Sequence, residues 1–252
     1  MKKQQTLTVR SISHLTGGSV HITLCPPQGE ALPPMQPGQF VEVAIGKADV
    51  LLNRPFSIFH ADAESLELLV KPLGRATDVL AGYAAGDTMR VISPLGRGFR
   101  MPAVGSKVLL IGGGVGVAPF YFHAEALSRT GIRPTLLYGE RTTPDASLIA
   151  TLSAVADVKV CTDDGSCGFH GLVTQHPAFA CDYDLVQVCG PMPMMKAVYA
   201  QARERGLDTQ FSLENKMACG LGACLCCVEK TTTGNRCVCT DGPVFNIDEL
   251  PW

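Results

Sequence analysis

The chain has 252 residues, 46% of them hydrophobic and 17% charged, with a net charge of −2. That balance excludes a disordered polymer and gives length for one large domain, or for two small ones with an appendage. With no run of Lys and Arg, and no apolar stretch near the roughly 20 residues of a membrane helix, nucleic acid and membrane are poor partners.

The opening MKKQQ turns polar too soon for a signal peptide, so a cytoplasmic address is expected. From residue 6 to about 100 the chain reads as short β-strands. LTVRSISHL and SVHITL alternate apolar with polar, PPQGEALPPMQPGQ breaks the pattern, and FVEVAI, SLELLVKPL and DTMRVI resume it at the spacing of a small β-barrel. ATDVLAGYA is the one helical stretch there. After SPLGRGFRMPAVGSK the period changes. KVLLIGGGVGVAPFYFHAEAL reads as strand, glycine turn and helix; PTLLYGER, VKVCTDD and DLVQVCGP are further strands, and ASLIATLSAVA and MPMMKAVYAQARERG further helices. Strands alternating with helices imply right-handed crossovers and a parallel sheet covered on both faces. The expected division is 1–100, 101–211 and a cysteine-rich tail at 212–252 that is too short to fold without a staple.

Two loops of the central part invite a dinucleotide. Gly112, Gly113, Gly114 and Gly116 join a strand to a helix, where glycine lets backbone N–H groups approach a pyrophosphate. The run is G-G-G-x-G-x-A-P rather than G-x-G-x-x-G, so a tight turn without a ligand remains open. Cys189, Gly190 and Pro191 begin a second loop, at the carboxyl end of a later strand. In YGERTTPD, Arg141 suits a 2′-phosphate, but the neighbouring Glu140 leaves NAD against NADP undecided. In the first part, NRPFSI follows a strand and offers Arg54 for a phosphate, Phe56 for a flat ring and Ser57 for its edge. The alternative is a rim arginine with Phe56 in the core. Gly74 and Thr77 similarly suit either a phosphate-binding helix start or a plain cap. The six histidines have no companions that suggest nucleophilic catalysis.

Eleven cysteines in a chain without an export signal point to metal or redox chemistry rather than disulfides. Five are scattered and read as small buried hydrophobes. Six lie in MACGLGACLCCVEKTTTGNRCVCTDGPVF. Cys219, Cys224 and Cys227 make C-x4-C-x2-C, with another cysteine ten or twelve residues on, which is plant-type ferredoxin spacing for a [2Fe-2S] cluster. Cys226 does not fit that spacing, and spacing leaves Cys237 and Cys239 equivalent; in a strand, both would share a face. A four-cysteine zinc site is the alternative, although zinc ribbons more often use paired C-x2-C knuckles.

RPFS, PLGRGF, GGGVGVAPF, TDDGSCGFHG, CGPMPMM and MACGLGACLCC…CTDGPVF follow one another as in the electron-transfer subunits of type B dihydroorotate dehydrogenase, within the ferredoxin reductase group. The chain resembles that family along nearly its whole length. The resemblance implies a β + α/β architecture: an N-terminal FAD-binding β-barrel, a central parallel-sheet domain for NAD, and a C-terminal iron-sulfur tail. By position it assigns FAD to Arg54, Pro55, Phe56 and Ser57, to Leu69, Val70 and Lys71, and to Ala76 and Thr77. It selects Cys239, just before the T-D-G-P-V-F run, as fourth ligand beside Cys219, Cys224 and Cys227. It also implies an FMN-containing catalytic partner, in a heterotetramer of two of each subunit, with electrons passing through the cluster and FAD to NAD+. No side chain needs to act as an acid or base. Ala76 departs from the family's glycine, and Phe56 from the wider group's tyrosine. A reductase subunit for a hydrogenase or oxygenase is one other reading, and a zinc-stapled binding module with vestigial nucleotide folds is another. The uncharged MACGLGACLCCV suits a partner surface.

Overall fold

The computed structural model describes residues 2–46 and 50–252. Its first part contains β1 (Lys3–His14), β2 (Val20–Cys25), β3 (Phe40–Ala44), β4 (Arg54–Ser57), β5 (His60–Ala61), β6 (Leu66–Val70), α1 (Arg75–Ala81) and β7 (Thr88–Leu95). The strands form one antiparallel sheet in the order β4-β3-β7-β1-β2-β6-β5. Its edge strands, β4 and β5, are joined only by Ile58 and Phe59. That linker spans about 11 Å at most, whereas the edges of a flat seven-stranded sheet lie about 29 Å apart. The sheet must curl, and Leu7, Ile22, Leu24, Val41, Leu66 and Val91 fill its interior. NRPFSI, expected to follow a strand, itself forms the edge strand β4, with Pro55 at an edge where a missing N–H is tolerated.

The second part runs through β8 (Val108–Gly113), α2 (Ala118–Arg129), β9 (Thr135–Glu140), α3 (Ala146–Val155), β10 (Asp157–Thr162), β11 (Phe169–His170), β12 (Leu185–Cys189), α4 (Met192–Glu204) and β13 (Thr209–Ser212). The tail adds a hairpin of β14 (Val228–Thr231) and β15 (Gly234–Cys237), the single turn α5 (Val238–Asp241) and β16 (Val244–Asn246). The second sheet has the order β11-β10-β9-β8-β12-β13-β16, parallel except for β16. Order reverses between β8 and β12, so the carboxyl ends of those strands flank a crevice.

The tail does not stand apart. β16 completes the second sheet, and the sequence division at 211/212 falls inside β13. One core joins all three parts, with Phe40 and Leu95 from the barrel, Val188 and Phe211 from the second sheet, and Cys227, Val238 and Cys239 from the tail. Gly96 makes the junction possible. It has φ +73°, and a Cβ there would lie 2.5 Å from Pro243 Cδ and 2.9 Å from Phe40 Cε1. The barrel also packs on α2, where Phe59 stacks on Tyr121 at 4.8 Å and accepts a hydrogen bond from the Phe122 N–H at 3.1 Å. His60 beside them lies 3.4 Å from Glu125 and 3.7 Å from Glu67.

A polar ladder crosses the second sheet. His123 Nε2 and Gln187 Oε1 are 2.6 Å apart, Gln187 Nε2 donates to Gln210 Oε1 at 2.9 Å, and Gln210 Nε2 donates to Asn246 Oδ1 at 3.2 Å. Burial pushes the His123 imidazole down from 6.5 to about 4, with Gln187 opposing the fall. A lowered folded-state value means that the neutral ring stabilises fully above 6.5 and loses this contribution as the pH falls toward 4. Melting curves followed by circular dichroism should therefore show a steeper loss between pH 6.5 and 5 for the wild type than for His123→Gln, by up to about 1.4 kcal/mol per pH unit. Parallel curves would remove His123 from the acid response.

Candidate functional site

A cleft of about 790 Å³ opens at the crevice between β8 and β12. Gly113, Gly114, Gly116, Gly190 and Pro191 line one wall, and Lys71 reaches it from the barrel. Gly112 and Cys189 lie outside that lining. Cys189 is fully buried in the core beside α2, and burial drives its thiol up. Close approach accounts for most of these glycines. A Cβ at Gly112 would lie 2.8 Å from Val117 Cα, at Gly113 2.5 Å from Met194 Sδ, and at Gly116 2.6 Å from both Cys189 O and Gly190 Cα. Gly114 differs: its φ is +55°, its missing side chain faces open space, and it lines the cleft. The turn is packed tightly at Gly112, Gly113 and Gly116, and Gly114 is open to the cleft. Glu214, just beyond β13, also lines the cleft from an exposed position.

A second groove, of about 530 Å³, runs beside β4 and is lined by Arg54, Gly74, Arg75, Ala76 and Thr77. It brings together two segments that the family resemblance assigned to FAD, with Arg54 Nη1 donating to Leu52 O at 2.8 Å and Asn53 O at 3.1 Å. The Thr77 hydroxyl is already committed, accepting from Leu73 N at 2.9 Å and donating to Gly74 O at 2.9 Å. Leu69 and Val70 are buried in separate cores, so only their backbone can meet a ligand. Pro55, Phe56 and Ser57 are half-buried along β4, and Phe56 packs on the barrel core. Ala76 lines the groove, yet it is buried and its methyl joins the same core.

At the tail, the chain from Cys219 to Cys227 curls through three left-handed residues, Gly220 (φ 64°), Gly222 (φ 84°) and Leu225 (φ 59°). The curl turns backbone donors toward sulfur: Leu221 N–H to Cys219 Sγ at 3.3 Å, and Cys239 N–H to Cys227 Sγ at 3.4 Å. Burial opposes ionisation of Cys219, but the N–H groups of Leu221, Cys224 and Ala223 outweigh it and hold the thiol well below its ordinary value. Burial raises Cys239, whose thiol meets Cys227. Cys224 meets Cys219, while Cys237 and Cys239 both meet Cys227. Among the described residues no three His, Cys, Asp or Glu side chains close around a single metal ion.

RCVCT is not one strand. β15 ends at Cys237 and α5 begins at Val238, so Cys239 turns into the core while Cys237 stays half-exposed beside Cys227. Cys226 is exposed. Leu225 (63% exposed), Leu221 (49%) and Val228 carry apolar surface around the loop.

Sequence reading missed Glu42. It lies in β3 opposite Pro55, is fully buried, and neither carboxylate oxygen has a hydrogen-bond partner among the described residues. Burial pushes its carboxyl up to about 7, Cys219 adding to the rise and Arg54 opposing it. The charged residue inside the apolar run FVEVAI was the available signal.

The tail at residues 214–251 matches the family model for the iron-sulfur cluster binding domain of dihydroorotate dehydrogenase B. A Shouchella clausii (strain KSM-K16) protein named dihydroorotate dehydrogenase B (NAD(+)), electron transfer subunit, is 37% identical over 260 residues, covering 99% of this chain and 98% of its own. The chain belongs to that family of electron transfer subunits. A family member from Clostridium acetobutylicum is 36% identical over 86% of each chain. Among solved structures, an NADH-dependent reduced ferredoxin-NADP oxidoreductase matches with a TM-score of 0.84 and 27% identity, over 98% of this chain and 90% of that one. The ferredoxin reductase of carbazole 1,9a-dioxygenase shares the fold, with a TM-score of 0.72 and 22% identity over 83% of this chain and 69% of its own. Among the described residues no helix is long and apolar enough to cross a membrane.

Gly116→Ala should force the β8 and β12 loops of this family member apart. Its melting temperature should fall by several degrees, the response to a core clash of about 2 kcal/mol. Unchanged melting would mean that the loops separate freely.

Proposed function

We propose that the protein carries electrons from a partner subunit that oxidises dihydroorotate to NAD+, serving pyrimidine biosynthesis in the cytoplasm. The observation that carries this reading is the cysteine loop packed on β3, with the Leu221 and Cys239 N–H groups donating to the sulfurs of Cys219 and Cys227, inside an apolar surface and one strand from β4. Bound FAD and a [2Fe-2S] cluster supply the redox chemistry, the cluster exchanging single electrons and the flavin pairing them for hydride transfer to NAD+.

The chain's own residues bind and orient. Cys219, Cys224, Cys227 and Cys239 would hold the cluster, and the Leu221 and Cys239 N–H groups would offset its negative charge. Cys226 and Cys237 are left as neighbours rather than ligands. Arg54, Arg75 and the first turn of α1 would grip the FAD phosphates. The edge of β4 from Pro55 to Ser57, and the backbone at Leu69 and Val70 with Lys71 beyond it, would border the flavin. Gly114, with Gly113, Gly116 and Gly190 beside it, would admit the NAD pyrophosphate. Leu221, Leu225 and Val228 would face the FMN-containing catalytic subunit, in a heterotetramer of two of each. The likeness to a ferredoxin-NADP oxidoreductase along nearly the whole chain supports a second reading, a reductase subunit for another complex.

Iron and sulfide analysis of single Cys→Ser variants tests the ligand set. Cluster should be lost at positions 219, 224, 227 and 239 and retained at 226 and 237. The wild type should gain dihydroorotate:NAD activity on mixing with the catalytic subunit. Full iron in Cys239→Ser would move the fourth ligand to Cys237, and no gained activity with a loaded cluster would favour the second reading.

A further inference from the structure

The turn between β1 and β2 leaves the barrel and crosses to the second domain. Leu15, Thr16, Gly17 and Ser19 line the cleft on one side, and Glu140, Arg141 and Asp145 line it on the other. Thr16 spans the gap, its N–H donating to Asp145 Oδ2 at 2.8 Å between residues 129 positions apart, and its side chain meets the same carboxylate. The Lys71 ammonium holds the turn from below by donating to Gly17 O. Elsewhere the two domains meet through packing, where Phe59 stacks on Tyr121 and where Phe40 and Leu95 share a core with Val188 and Phe211. The contact at the turn, by contrast, is exposed and, among the described residues, rests on Thr16. Gly17 and Gly18 both have φ +81°, and nothing lies within 4 Å of where their side chains would be, so the turn has room to lift.

We propose that the β1–β2 turn is a strap across the nucleotide cleft, closed by the Thr16–Asp145 hydrogen bond, which must open for a dinucleotide to enter or leave. The inference rests on the reading that NAD occupies this cleft. In the closed state a bound dinucleotide is retained by the strap, and lifting of the turn releases it. The cost of opening is that of the exposed Thr16–Asp145 contact, small enough for frequent release and large enough to slow it.

Two substitutions break the bond from opposite sides while sparing local structure. Gly18 N–H donates to Leu15 O at 3.0 Å, so residues 15–18 form a tight turn with Thr16 second and Gly17 third at positive φ. Proline is favoured at that second position, so Thr16→Pro removes the donor without breaking the turn. Asp145 also caps α3, accepting from Ser147 N at 2.8 Å and Leu148 N at 3.2 Å. Serine caps equally well but reaches less far, so Asp145→Ser keeps the helix start and loses Thr16.

The test is stopped-flow binding of a non-reducing tetrahydro analogue of NADH to the flavin-loaded protein, followed by the flavin absorbance. Each single variant should release the analogue roughly fivefold faster than wild type, and the double variant should release it no faster than either single. Unchanged release in both single variants, or fully additive effects in the double, would overturn the strap. Absence of binding by the wild type would overturn the dinucleotide reading itself.

Discussion

A Cβ at Gly220 would lie 2.8 Å from Glu42 Cγ and 2.9 Å from Leu95 Cδ1, and the backbone there is left-handed at φ 64°. Only glycine satisfies both conditions without displacing a strand. The consequence is that the cysteine loop lies directly on β3 and β7, one strand from Arg54. Cys227 and Cys239 consequently share a core with the barrel and with the second sheet. A cysteine loop and an arginine groove on separate, linked domains would depend on a docking equilibrium. Here their separation is fixed by packing.

That contact has a cost, and it falls on Glu42. A carboxyl with no exposed surface and no partner breaks the rule that buried polar groups are paired. The protein meets the cost partly by raising the group to about 7, so the neutral form is accessible near neutrality. Such violations concentrate where function constrains the fold. Glu42 sits between the two places where a redox group is expected, beside the cysteine loop at Gly220 and one strand from Arg54.

Much of the architecture was legible because it rests on local periodicity. β1, β2, β3, β6 and β7 show alternating or continuous apolar residues, and β8, β9, β10 and β12 alternate with helices. β4 was missed as a strand because its pairing with β3 is tertiary and its sequence contains a proline. β16 was missed because three residues carry no period, and only their register with β13 makes them a strand. At the site, cysteine spacing and glycine type were readable. The convergence of Arg54 with Ala76 and Thr77 came only from the family resemblance, since it depends on the curl of the sheet. The spacing left Cys237 and Cys239 equivalent, and the break between β15 and α5 separates them in burial.

The central claim is that this tail carries a two-iron cluster rather than a single closed metal ion. Electron paramagnetic resonance of the anaerobically purified, dithionite-reduced protein tests it most directly, with spins counted per chain. The account predicts a spin-½ [2Fe-2S] signal of about one spin per chain. A silent spectrum from protein that binds stoichiometric zinc would contradict it.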